Sequence, residues 1–247
     1  MESGSVREVI RVRTAFEGTT LEQLYSLGAE EKELRVENRL IFNHTWTLLK
    51  AAFPTGSECI HTAAETAYGI LERELKEDAA EYYMQRFLDV QDQEGRGLTI
   101  ANDGKYAFNM TEGRTQITLC RSAIYAQGNS PDWYNGKESY QYTDIGPQCF
   151  RFVLKPHGRK LPSSEYYRIA AKLNTPVSYL ADSAHAGSRR LTACSLAGIG
   201  KDGSAGGNCA NVRIMLMKKC EDDNSLIVRL LETEGRDTQC AVSYTHL

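Results

Sequence analysis

The five histidines, His44, His61, His157, His185 and His246, are weighed first, because imidazole both binds metals and moves protons. Each stands isolated. No His-x-His or His-x-x-x-His pair sets two ligands on one strand or helix face, so the chain is not expected to hold a zinc ion of its own. The cysteines, at 59, 120, 149, 194, 209, 220 and 240, are odd in number and form no Cys-x-x-Cys pair. Reduced, mostly buried thiols in a cytosolic protein are expected. Gly-x-Ser-x-Gly does not occur. Gly203–Gly207 lacks the flanking strand and the Lys-Ser/Thr of a phosphate-binding loop. Aromatic rings are the one feature that points to a ligand. Tyr125, Trp133, Tyr134, Tyr140 and Tyr142 crowd around Asn135-Gly136, and flat apolar faces with polar tips suit a sugar-binding surface. The plainer reading is that these rings cap the end of a sheet and cover its core.

Composition narrows the function classes. With 29 Lys+Arg against 32 Asp+Glu, the net charge is -3, and the only basic pairs of note are Arg189-Arg190 and Lys218-Lys219. A nucleic-acid partner is not expected without a basic stripe. No apolar run approaches the roughly 20 residues of a membrane helix. Met1–Arg13 carries charges throughout and does not read as a signal peptide, so a cytoplasmic location is expected.

The elements that must position these residues are strands. Apolar side chains recur with period two in Val6–Phe16, Leu34–Phe42, Ile117–Leu119, Cys149–Leu154, Val212–Met217 and Leu226–Leu231. Turn signals separate them: Glu17-Gly18, Asn102-Asp103-Gly104, Glu112-Gly113, Asn135-Gly136, Asp222-Asp223-Asn224 and Glu234-Gly235. Asn102-Asp103-Gly104 is expected to close a hairpin between Leu98–Ala101 and Lys105–Phe108, its glycine supplying a positive φ. Ser163-Ser164-Glu165 opens a short helix that ends near Leu173–Asn174, ahead of Pro176. Ala63-Ala64-Glu65 allows a turn of helix. Gln127–Ser139 and the glycine-rich Ala181–Ala210 read as irregular, the second as a long loop. Many antiparallel strands with long loops predict an all-β fold, a large antiparallel β-sandwich with one short helix.

Several stretches, taken in order, resemble one family. They are Trp46–Pro54 (WTLLKAAFP), Glu65–Arg73 (ETAYGILER), Gln85–Phe108 (QRFLDVQDQEGRGLTIANDGKYAF), Leu119–Ser122 (LCRS), Asp144–His157 (DIGPQCFRFVLKPH), Ala171–Pro176 (AKLNTP) and Val212–Glu232. Together they resemble the C-terminal β domain of glycoside hydrolase family 38, the α-mannosidases, in its cytosolic and bacterial branch. The resemblance runs over about residues 35–235. Gln148 stands where many members have His, and Cys120 replaces a Leu before Arg121. Residues 241–247 depart from the family and read as an out-of-family tail on a domain of residues 1–240.

The resemblance implies a galactose-mutarotase-like supersandwich, and a zinc-dependent retaining enzyme that hydrolyses terminal α-mannosyl residues. It places the zinc ligands and carboxylate nucleophile in a catalytic domain that this chain lacks. The chain is then expected to be a non-catalytic β portion, with no catalytic or metal-ligating residue of its own. Its partners would be the catalytic and helical domains and a mannose-containing oligosaccharide. Arg96, between Gly95 and Gly97, sits where the family has an arginine that reaches towards the cleft. Asp89, Asp92, Asn102 and Asp103 are candidates to orient it, although a turn role suits Asn102 and Asp103 better. Substrate contact is expected from Arg96, Trp133 and Tyr134. Glu72-Arg73 and Arg121 are expected in ion pairs that bridge sheets or domains, and His157 as a hydrogen-bonded strand end. The alternative is a stand-alone carbohydrate-binding module or a structural interaction domain.

Overall fold

The computed structural model describes residues 1–56, 58, 61–75, 78–125, 140–181, 183, 197–200 and 209–244. Contacts divide the chain into two units, Met1–Leu161 with Ile169–Asn174, and Pro162–Arg168 with Thr175–Leu247. The fold is all-β with a single helix among the described residues.

The first unit folds from β1 (Glu2–Ser3), β2 (Arg7–Phe16), β3 (Thr19–Gly28), β4 (Leu34–Phe42), β5 (Leu48–Pro54), β6 (His61–Thr66), β7 (Gly69–Glu74), β8 (Asp78–Tyr83), β9 (Phe87–Gln91), β10 (Gly97–Asn102), β11 (Ala107–Thr111), β12 (Arg114–Arg121) and β13 (Gly146–His157). A nine-stranded sheet runs β1-β2-β3-β4-β13-β10-β9-β6-β7, and a four-stranded sheet runs β5-β12-β11-β8. All their pairings are antiparallel.

Period two decides which faces meet. On β4, Val36, Leu40 and Phe42 are buried while Arg35, Glu37, Arg39 and Ile41 are exposed. These buried side chains join Leu88, Val90 and Ile100 in one core with Phe108, Ile117 and Leu119 of the smaller sheet. The rings of Phe53 on β5 and Phe152 on β13 meet edge to face at 5.7 Å, an arrangement aromatic quadrupoles favour. Hydrophobic burial between the two sheets is therefore what holds the sandwich together.

Turn chemistry follows the sequence at two hairpins. Glu17-Gly18 joins β2 to β3 with φ of 44° and 80°, and Glu112-Gly113 joins β11 to β12 with φ of 53° and 66°. Positive φ at both central residues matches the right-handed twist of the strands.

The expected hairpin at Asn102-Asp103-Gly104 does not form. β10 pairs with β9 and β13, whereas β11 pairs with β8 and β12, so this connection crosses from one sheet to the other. The Asn102 side chain makes the bend. Its Oδ1 accepts Gly104 N–H at 3.0 Å and Lys105 N–H at 2.7 Å, and its Nδ2 donates to Gln85 O at 2.8 Å. Gly104 does not use a positive φ. Lys105 then donates to Leu119 O and Gln148 Oε1 and lies over the Phe150 ring, so Gln148 has a hydrogen-bonding role. Ala63-Ala64-Glu65 belongs to β6 and not to a helix.

Strand β9 (FLDVQ) is buried on both faces, unlike the half-wet strands that alternation predicts. Two acidic side chains in this region are buried with partners. Glu65, on β6, accepts Arg86 N–H at 2.9 Å and both Nε and Nη2 of the same guanidinium. Asp89 lies at the centre of β9.

The helix α1 (Ser163–Asn174) forms where expected, with Glu165 in its first turn and Lys172 in its last, both complementing the helix dipole. In the first unit, Lys172 donates to Glu31 Oε1 at 2.9 Å, and Asn174 Nδ2 donates to Asn102 O at 2.9 Å. The second unit holds β14 (Ala197–Gly200), β15 (Val212–Lys219), β16 (Leu226–Glu232) and β17 (Ala241–Tyr244). β15 pairs with β16, and β14 with β17. Glu232 accepts the backbone N–H groups of Glu234, Gly235 and Arg236 while Asn211 Nδ2 donates to it, closing the turn that follows β16. Of the stretch 181–210, residues 182, 184–196 and 201–208 lie outside the described residues.

Candidate functional site

The site is the turn that joins β9 to β10. Asp92 organises it. Its Oδ1 accepts Glu94 N–H at 3.0 Å and Arg96 N–H at 2.9 Å, and its backbone pairs with Arg96 O and Gly95 N. Gly95 takes φ of 80°, a conformation that a β-carbon would strain, and a β-carbon there would also sit 2.6 Å from Lys160 N. Gly97 is equally constrained, because its α-carbon packs against the β9 backbone. Both glycines flanking Arg96 are thus required by close approach.

Arg96 is 59% exposed and folds back on its own turn. Nε donates to Asp92 Oδ2 at 2.8 Å and Nη2 to Glu94 Oε2 at 2.6 Å. Its side-chain hydrogen bonds use Nε and Nη2 and leave Nη1 without one among the described residues, while the Glu58 carboxylate acts on the guanidinium through its charge. Desolvation works against the Asp92 carboxylate, but the Arg96 guanidinium and two backbone N–H groups outweigh it and hold the carboxyl below its ordinary range. Of the four polar residues that were candidates to orient Arg96, only Asp92 touches it. Asn102 and Asp103 lie at the far end of β10, where Asp103 accepts Arg151 N–H at 2.7 Å and pairs with the Arg151 guanidinium. The spacing of strand residues along one axis separates the two ends, which proximity in sequence had suggested were together.

Asp89 lies beneath the turn. Its Oδ1 accepts from Thr99 Oγ1 at 2.6 Å and meets His157 Nε2 at 2.9 Å. His157 Nδ1 lies 3.0 Å from Gly95 O, so the imidazole bridges β9 and the turn. Burial alone would lower the His157 pKa. The hydrogen bond and charge of Asp89, with the backbone groups of Gly95 and Arg159, outweigh it and raise the pKa above 6.5.

A cleft of about 480 Å³ opens beside the turn, lined by His61, Glu72, Arg73, Gln91, Glu94 and Lys160 among others. Glu72 pairs with Lys160 at 2.9 Å. The Arg73 guanidinium lies 5.6 Å from the Tyr82 ring centroid, so among the described residues it links the two sheets through a ring. Arg121 has no acidic partner among the described residues; its backbone N–H is held by Asp144.

Trp133 and Tyr134, expected to touch substrate, lie outside the described residues. Near the ends of that stretch, Tyr125 is exposed, and Tyr142 packs edge to face on Trp46 at 5.9 Å. Trp46 is half exposed and takes a left-handed backbone, φ of 55°. Sequence reading missed Trp46, because its partner is far away in the chain and no local pattern marks it.

Among the described residues, no three His, Cys, Asp or Glu side chains converge to hold a metal ion. The described residues therefore do not fit a zinc site. No helix among the described residues is long and apolar enough to cross a membrane.

Comparison with solved structures returns the same architecture. The chain is similar to an alpha-mannosidase from Enterococcus faecalis V583, with a TM-score of 0.71 and 18% identity over 92% of this chain. It is also similar to a protein in glycosyl hydrolase family 38 from Enterococcus faecalis, with a TM-score of 0.70 and 19% identity over 92% of this chain. At that identity the likeness speaks for the fold. The chain spans 25% of the length of each of these structures. Comparison with curated proteins finds no match. The model of the glycosyl hydrolases family 38 C-terminal domain matches residues 1–133, more than half of the 247 residues, and the chain therefore belongs to glycosyl hydrolase family 38 through its C-terminal domain.

Proposed function

We propose that this chain is the non-catalytic β portion of a zinc-dependent, retaining α-mannosidase, and that its β9–β10 turn lines one wall of the catalytic cleft. The observation that carries the reading is the match to the family's C-terminal domain in a chain that spans a quarter of an alpha-mannosidase. The zinc ion would be held by a catalytic domain outside this chain, where it would supply Lewis-acid chemistry. Two carboxylates about 5 Å apart would act on either side of the sugar there. This chain's part is to position. Asp92 and Glu94 hold Arg96 on a rigid turn, and the guanidinium keeps Nη1 for a hydroxyl of a mannose-containing oligosaccharide. The purified chain is expected to release no p-nitrophenol from an α-mannoside, with or without added zinc. In a longer enzyme that carries this portion, Arg96→Ala is expected to lower kcat/KM about tenfold, the loss of one charged hydrogen bond. Zinc-dependent turnover by the chain alone would refute the reading.

A second reading has its own observation. The exposed Trp46, set edge to face with Tyr142, offers a flat apolar face of the kind that pyranose rings stack on. In a carbohydrate-binding module, mannose would perturb tryptophan fluorescence and Trp46→Phe would remove that change. An unchanged spectrum at saturating sugar would exclude it.

A further inference from the structure

His157 meets two acceptors at once. Nε2 lies 2.9 Å from the Asp89 carboxylate, and Nδ1 lies 3.0 Å from the Gly95 carbonyl oxygen. A carbonyl oxygen and an ionised carboxylate can only accept. A neutral imidazole carries one N–H, so it satisfies one of these contacts and sets a lone pair against the other. Only an imidazolium makes both. The side chain is 3% exposed and Asp89 is fully buried, so water does not stand in for a lost partner on either side.

We propose that His157 is a positioning residue: a doubly protonated imidazolium that clamps the Asp89 carboxylate and the Gly95 carbonyl together and so sets the place of the turn that presents Arg96. The inference rests on the proposed role of that turn for its consequence, but not for its geometry. Gly95 O is one residue from Arg96, and Gly97 pairs directly with His157 in the β10–β13 ladder. Asp92 ties the turn to itself, whereas His157 ties it to the sheet.

Several charged neighbours have partners of their own, and Arg159 reaches the ring through its backbone. Lys155, on the same strand, lies 3.7 Å from Glu33. Lys160, which follows β13, pairs with Glu72, and Asp92 pairs with Arg96. Thr99, opposite Asp89 on β10, donates to the same carboxylate oxygen as His157. The carboxylate that faces the imidazolium is therefore Asp89, and the pair is close to neutral as a unit. The sign of the pH dependence follows. A base held more tightly protonated in the folded state contributes its full stabilisation below the ordinary value of 6.5 and loses it as pH rises through the raised value. The clamp is closed at low pH and opens at high pH.

The test uses this chain, labelled with ¹⁵N, and needs no catalytic domain. Ring resonances of His157 are assigned by their loss in His157→Gln. Both ring nitrogens are expected to carry protons at pH 6.5, the ordinary midpoint of a histidine. As pH rises through the His157 titration, exchange of the Gly95 and Arg96 amides should accelerate by about tenfold beyond the ordinary base-catalysed rise. Asp89→Asn keeps the shape of the acceptor and removes its charge. It should move the His157 titration down by about one pH unit or more. His157→Gln should loosen the turn at every pH and abolish the extra step, which a residue serving only as packing would not do. A His157 ring with one bare nitrogen at pH 6.5 would overturn the proposal, as would turn amides that show no step through its titration. If the step is present but Arg96→Ala leaves mannoside hydrolysis unchanged in the longer enzyme, the clamp stands and the cleft-wall role falls.

Discussion

Replacing Gly97 with Ala tests the packing of β9 on β10 with a single methyl group. A β-carbon at Gly97 would overlap the Val90 carbonyl oxygen, with Gln91 Cα at 2.8 Å and the Val90 carbonyl carbon at 2.9 Å. Ordinary contact begins at 3.4 Å, so even the nearest carbons are about 0.6 Å too close, and every atom involved is backbone. Neither strand can move aside. β9 is held between β10 and β6, and β10 between β9 and β13. The pair must splay, at a cost of about 3 kcal/mol, the upper part of the range for overpacking. That is about a hundredfold in the folding equilibrium. With a urea m-value of about 3 kcal/mol/M for a chain of this size, the midpoint falls by about 1 M. The control is Gly104→Ala. Nothing lies within 4 Å of its β-carbon, and its φ is not positive. That change should raise stability by about 0.4–1 kcal/mol, because alanine has less freedom to lose on folding. Urea unfolding followed by far-ultraviolet circular dichroism reads both. Equal midpoints for Gly97→Ala and the parent would refute the reasoning.

Arg86→Met leaves the Glu65 carboxylate buried without its cation, and should cost about 3 kcal/mol in the same assay; Glu65→Gln in the same chain should restore part of it. Phe108→Ala opens a cavity at a fully buried ring between the sheets and should cost about 3–5 kcal/mol, with no recovery from surface changes. Glu31 and Glu232 are among the carboxyls that set an acid limit. Lys172 hydrogen bonding holds Glu31 below 4.5, and for Glu232 desolvation is outweighed by Asn211 and three backbone N–H groups. Both groups bind protons more weakly folded than unfolded, so their contribution is whole above 4.5 and lost as pH falls through their lowered values. Melting temperature measured against pH should decline below that point, and Glu31→Gln should reduce the slope.

The local sequence determined the elements and their faces. Alternation in Leu34–Phe42 marked the buried and exposed sides of β4, because successive strand residues point to opposite faces whatever the strand pairs with. Glu17-Gly18 and Glu112-Gly113 marked true hairpins, and Ser163-Ser164-Glu165 the helix start, since backbone dihedrals and first-turn contacts depend on near neighbours. The glycines around Arg96 also marked a tight turn, and family motifs carried the rest of the assignment.

Tertiary structure decided partners. Asn102-Asp103-Gly104 has the composition of a hairpin, yet its flanking strands belong to different sheets, because the core of each side is closed by strands distant in sequence. Arg96 and Asp103 are near in the chain but stand at opposite ends of β10. Asp89 and His157 are 68 residues apart and in contact. A side chain's charge state and reach follow from what the fold buries beside it, and that depends on which strands pair, a property of the whole chain and of no segment in it.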